Sequence, residues 1–117
     1  AKDYGFRGKW QYNNLMYMTL GAVAEAAGGK TWSELIRAKI LDPLEMKSTG
    51  FIASEMSRQP DFAIPYTGDT QLPFLDYENI GPAGIAVSNV KDLTKWVALF
   101  LNNGRLASGQ TLVSQAS

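Results

Sequence analysis

The sequence predicts a mainly α-helical fold: three main helices plus a long ordered loop region, in one helical unit spanning residues 1–117. Three observations predict it. Of 117 residues, 45% are hydrophobic and 19% charged, the balance of a chain that buries a core. Three segments carry apolar residues at helical spacing or around a whole helical surface. Between the second and third, Pro60, Pro65, Pro73 and Pro82 interrupt regular structure.

The first helix runs over Leu15 to Ala27, apolar on nearly every side, with Thr19, Gly21 and Glu25 as its interruptions. A helix apolar all round is expected to be buried. Gly28-Gly29 ends it, because glycine takes the left-handed conformation of a helix C-terminus at little cost. Thr31-Trp32-Ser33-Glu34 then spells a capping box, in which the Thr hydroxyl and the Glu carboxylate each satisfy a backbone N–H. Trp32, Leu35, Ile36, Ile40 and Leu41 recur at helical spacing, and Pro43 closes that second helix. The third opens at Ser88 or Asn89, carries Val90, Leu93, Trp96, Val97, Phe100 and Leu101 on one face, and stops at Asn102-Asn103-Gly104. The three are expected to share one core.

The stretch between Pro43 and Val87 holds Phe51, Phe62, Tyr66, Phe74 and Tyr77. That is too many aromatics for a disordered linker, so it predicts an ordered loop packed on the helices. A short helix around Ser54 to Ser57, or a small hairpin, is expected within it.

Composition also excludes chemistry. Eleven Lys plus Arg balance eleven Asp plus Glu, and no basic run supplies the electrostatic footprint of a nucleic-acid partner. With no Cys and no His, thiolate nucleophiles, zinc ribbons and imidazole bases are absent. Any reaction must use Ser, Thr, Tyr, Lys or carboxylates. No apolar run reaches the roughly 18 residues that span a bilayer. The opening Ala1-Lys2-Asp3 and the closing Ser114-Gln115-Ala116-Ser117 predict a piece excised from a longer protein.

Two motif matches fail on physical grounds. Ala24 to Thr31 fits a loose phosphate-loop pattern, but its first half is the end of a helix whose N–H groups are already engaged, and Thr31 serves as a cap. Ser88-Asn89-Val90-Lys91 spells Ser-x-x-Lys. Here Lys91 precedes Asp92 in a first turn expected to face solvent, and Ser88 is accounted for as a cap.

Read in order, several stretches carry a resemblance. They are Phe6-Arg7-Gly8-Lys9-Trp10-Gln11-Tyr12-Asn13-Asn14, Leu20-Gly21-Ala22-Val23-Ala24-Glu25 and Gly29-Lys30-Thr31-Trp32. Further on come Ile40-Leu41-Asp42-Pro43-Leu44-Glu45-Met46-Lys47-Ser48-Thr49-Gly50-Phe51, Ala63-Ile64-Pro65-Tyr66 and Pro82-Ala83-Gly84-Ile85, then Ser88, Asp92-Leu93, Lys95-Trp96 and Asn102-Asn103-Gly104. In this order and spacing the chain resembles the serine hydrolases of the beta-lactamase and penicillin-binding-protein group, in particular the class C beta-lactamases, D-Ala-D-Ala peptidases and related esterases. Glu45 stands where the family usually has Gly.

The resemblance implies the helical domain of a beta-lactamase/transpeptidase-like fold, packed beside an α/β domain of the same chain that is absent here. It implies acyl-enzyme chemistry on a small-molecule or peptide acyl substrate, with no metal and no cofactor. Tyr12-Asn13-Asn14 matches the family's Tyr-x-Asn. By resemblance, Tyr12 is catalytic and moves the proton of a serine nucleophile, while Asn14 binds the substrate's acylamino carbonyl. Two residues apart in an extended or turn segment, both reach one cleft. A phenolate base needs cations beside it; those close in sequence are Arg7 and Lys9. The family's nucleophilic Ser-x-x-Lys lies upstream and its Lys-Thr-Gly strand downstream, and neither Lys30-Thr31-Trp32 nor Lys47-Ser48-Thr49-Gly50 replaces them. The fragment alone is therefore expected to be inactive. For a parent that works on cell-wall peptides the resemblance implies the cell envelope. The competing readings are a non-catalytic helical binding module and a self-sufficient hydrolase using Ser88 and Lys91.

Overall fold

A computed structural model describes Gly5 and residues 7–114. Helix α1 (Asn14–Gly28) starts where Asn13, in extended backbone, accepts from the Leu15 N–H with its side chain. It ends at Gly29, whose φ of 65° lets its N–H return to the Glu25 carbonyl at 2.8 Å. The Glu25 carboxylate then accepts from the Trp32 N–H at 2.8 Å, tying the end of α1 to the start of α2 (Trp32–Ile36). The capping box is present: the Thr31 hydroxyl accepts from the Glu34 N–H, and the Glu34 carboxylate accepts from the Thr31 N–H at 2.9 Å. The Thr31 hydroxyl donates to the Glu34 carboxylate at 2.7 Å, and this bond, with that from the Thr31 N–H, holds the Glu34 carboxyl below its usual pKa.

The second helix was expected to run unbroken to Pro43. Instead α2 widens into a π-turn over Arg37–Leu41, with the Asp42 N–H donating to the Arg37 carbonyl five residues back at 2.9 Å. Pro43 has no N–H to return to Lys39, so the last turn rearranges ahead of it. The loop region is ordered and holds both expected elements. Helix α3 (Ala53–Met56) and a hairpin of β1 (Tyr66–Thr67) and β2 (Thr70–Gln71), paired Tyr66 with Gln71, lie within it. The Asp76 carboxylate ties its far end back to the Ser54 N–H and hydroxyl. A kinked 3₁₀ turn, Glu78–Ala83, precedes helix α4 (Val90–Leu101).

The fold is mainly α, but burial departs from expectation in two places. The core is Leu41, Leu44, Met46, Phe51 and Leu99, with Trp32 packed edge-on to Phe51 at 5.0 Å. No residue of α1 belongs to it. Leu15 and Leu20 are 66% and 62% exposed, and within α1 the one buried residue is Gly21. The reason is that α2 and the 78–83 turn cover a single strip of α1. On α4 most of the expected apolar face points outward: Val90, Leu93, Val97, Phe100 and Leu101 are exposed, while Trp96 of that face packs against the core. The inward face is Asp92, Trp96 and Leu99.

Asp92 is the second correction, since its turn was expected to be solvated. It is 4% exposed. Its Oδ2 accepts from the Ser48 N–H at 2.8 Å and from the Thr49 hydroxyl at 2.9 Å, and Lys95 stands 3.3 Å from Oδ1. Lys95 also donates to the Glu45 carbonyl. A buried carboxylate persists only when so paired. Burial pushes its pKa up, but the donors Thr49, Ser48 and Lys95 outweigh burial and hold it below the ordinary value. Together with the Gly50–Val87 bridge, this clamp joins the 45–50 turn to α4 and fixes the strand-like approach to Ser88.

Candidate functional site

Tyr12 and Asn14 lie on either side of Asn13, the residue that caps α1. Asn13 adopts φ −149° and ψ 111° and caps the helix with its side chain at 2.8 Å. The cap therefore fixes where the chain stops being extended: Tyr12 precedes it, and Asn14 occupies the first helical position. Both side chains are exposed, Tyr12 at 62%. The Tyr12 ring packs between Trp10, at a centroid distance of 6.3 Å, and Tyr17, at 5.8 Å, both tilted. Tyr17 lies in the first turn of α1, so the aromatic row continues directly into that helix's exposed apolar face.

Arg7 sits at φ 59° in the loop before this turn. Phe6, which opens one of the matching stretches, lies outside the described residues. Ser88 is placed differently from expectation. Asn89, not Ser88, caps α4, its side chain accepting from the Asp92 N–H at 2.9 Å. The Ser88 hydroxyl instead pairs with that of Thr49 at 2.8 Å. It is thereby part of the Asp92 clamp, which is a structural use. The phosphate-loop match likewise falls on the end of α1 and the cap of α2.

Sequence reasoning missed Asp92. Its signal was available: positions 92, 96 and 99 share one helical face, and an acid among Trp96 and Leu99 is a buried acid needing donors. The glycine contacts of α1 were also missed. A Cβ at Gly21 would stand 2.2 Å from Pro82 Cγ, and one at Gly28 2.6 Å from a Leu35 methyl. A helix-interior glycine costs about 1 kcal/mol against alanine, which makes such close approach the expected compensation.

Comparison with known proteins decides the family. The Beta-lactamase family model matches residues 2–117. The chain belongs to the beta-lactamase family. Among curated relatives, it is 33% identical over 105 residues to unguisins hydrolase ungD' of Aspergillus campestris, covering 81% of this chain and 19% of that protein. It is 40% identical over 57 residues to esterase EstB of Burkholderia gladioli, covering 49% of this chain and 14% of that protein. The octameric penicillin-binding protein homologue from Pyrococcus abyssi superposes with a TM-score of 0.75 at 28% identity, over 92% of this chain and 24% of that one. The D-amino acid amidase from Ochrobactrum anthropi SV3 shares the fold, with a TM-score of 0.64 at 21% identity over 81% of this chain and 31% of that one. The chain thus spans about a fifth of the first curated relative and less than a third of the solved structures. Among the described residues no helix is long and apolar enough to cross a membrane.

Proposed function

We propose that this beta-lactamase-family chain is the helical domain of a serine acyl hydrolase, acting on a β-lactam, a D-Ala-D-Ala peptide or an ester, and that its contribution is the Tyr-x-Asn turn. The Tyr12 phenolate takes the proton of a serine nucleophile as that oxygen attacks the acyl carbon, then returns it to the leaving group. The Asn14 amide holds the substrate's acylamino carbonyl. The nucleophile belongs to a part of the enzyme outside this chain, so the chain alone is inactive.

The single observation that carries this reading is the setting of the turn. Tyr12 and Asn14 stand exposed at the head of α1, and the aromatic row from Trp10 to Tyr17 leads onto an apolar helix face that nothing described covers. Exposed apolar patches on this scale mark interaction surfaces. A second domain of the same polypeptide, laid on α1, forms the opposite wall of a cleft with Tyr12 at its edge. The named curated relatives, a hydrolase and an esterase, support acyl-bond cleavage as the chemistry.

The test is a fluorescent penicillin or an activated ester incubated with the full-length enzyme and with this chain, followed by intact mass and peptide mapping. The reading expects an adduct on a serine outside residues 1–117 and none on the chain alone. An adduct on Ser88 contradicts it, and a full-length protein that no acyl probe labels favours a non-catalytic binding module.

A further inference from the structure

From the contact between α1 and the 78–83 turn we infer that Gly21 is a positioning residue for Tyr12: α1 docks on Pro82 with no side chain between them, and that docking sets where the Tyr12 turn stands. The inference rests on the proposed role of Tyr12 and adds to it. Gly21 is the buried residue of α1, and this helix packs more closely on the 78–83 turn than on any other element. A Cβ at position 21 would meet Pro82 Cγ at 2.2 Å and Cβ at 2.8 Å.

The two glycine contacts of α1 differ in kind. At Gly28 the obstacle is the methyl end of Leu35, which rotates about its own χ angles. At Gly21 the obstacle is a pyrrolidine ring closed onto its own backbone: a change of pucker moves Cγ, but Cβ, 2.8 Å from the added carbon, is fixed to the main chain. Relief must come from moving the helix. Restoring ordinary contact at 3.4 Å takes a separation of about 0.6 Å from Cβ and, with the present pucker, about 1.2 Å from Cγ. Asn14 lies seven residues, or about 10 Å, along the same rigid helix from Gly21. The shift therefore reaches the turn that carries Tyr12, where a misplacement of about 1 Å costs roughly 100-fold in rate. The Gly50–Val87 bridge and the Asp92 clamp anchor the chain just beyond the 78–83 turn, which resists its following the helix.

The experiment is a set of full-length variants assayed for kcat on a chromogenic ester, well below their melting temperatures: Gly21→Ala, Pro82→Gly, Tyr12→Phe and the doubles Gly21→Ala/Pro82→Gly and Gly21→Ala/Tyr12→Phe. The expected result is a loss of about 100-fold in Gly21→Ala, shrinking to within about threefold when Pro82→Gly removes the ring. In the Tyr12→Phe background the glycine change adds little, since it acts through Tyr12. A purely structural role predicts instead that the two losses multiply, which overturns the inference, as does a Gly21→Ala enzyme within threefold of wild type. Should Gly21→Ala fail to fold, the Pro82→Gly double must fold and turn over like Pro82→Gly alone; failure there also overturns it. Wild-type turnover in Tyr12→Phe removes the proposed function and this inference together, whereas loss in Tyr12→Phe with none in Gly21→Ala removes only the inference.

Discussion

Replacing Asp92 with alanine tests the clamp that holds α4 to the 45–50 turn. The carboxylate is 4% exposed and accepts two short bonds, from the Ser48 N–H at 2.8 Å and the Thr49 hydroxyl at 2.9 Å. Hydrogen bonds to a charged group contribute about 1.5–3 kcal/mol each. The Lys95 pair, 3.3 Å long with its cation 41% exposed, adds at most about 1 kcal/mol after solvent screening. Removal leaves the part-buried Ser48 N–H without its acceptor and the Thr49 hydroxyl with Ser88 as its remaining partner, so the expected loss is about 3–4 kcal/mol. At a urea m-value of about 1.5 kcal/mol/M the unfolding midpoint falls by about 2 M. Asp92→Asn keeps the shape but turns an NH₂ group toward a donor, and falls in between. The pH dependence has a definite sign. Because the folded pKa is lowered, the contribution is complete above the ordinary carboxylate value of about 3.9 and is lost as pH falls through the lower folded value. Asp92→Ala should therefore lack this part of the acid-side decline. An Asp92→Ala midpoint within 0.3 M of wild type would refute the clamp as a source of stability.

Further outcomes follow from the same structure. Leu99→Ala, at 2% exposure the most buried core side chain, should cost about 2–5 kcal/mol by urea unfolding. Thr31→Ala removes the hydroxyl half of the capping box and should cost about 1 kcal/mol, with faster amide hydrogen exchange confined to the α2 region. Thr49→Val should cost about 1–2 kcal/mol, and the Thr49→Val/Asp92→Ala pair should be less than additive, because the two share one bond.

What the sequence made legible was local. The end of α1 at Gly28-Gly29, the Thr31/Glu34 capping box and the stop of α4 near Asn102-Asn103-Gly104 are each decided by neighbours within four residues, and the structure has them. The π-turn before Pro43 was not legible, since proline predicts only that a helix must end, not how its last turn rearranges. Helix α1 reads as buried all round, yet only its Gly21 strip is covered, and α4 turns Asp92 and Leu99 inward rather than most of its apolar face. Periodicity alone does not decide the outcome in either helix: the choice falls to Gly21 against Pro82 and to Asp92 against Ser48 and Thr49. Those partners lie more than forty residues away in sequence. The Tyr12-Asn13-Asn14 match was visible as a motif, while its position at the head of α1 came from the Asn13 cap.

The most direct measurement is the pre-steady-state rate of acyl-enzyme formation by the full-length enzyme with Tyr12 replaced by phenylalanine. Loss of a proton-transfer group predicts a fall of about 10²–10⁴-fold with folding unchanged. Acylation at the wild-type rate would contradict the account.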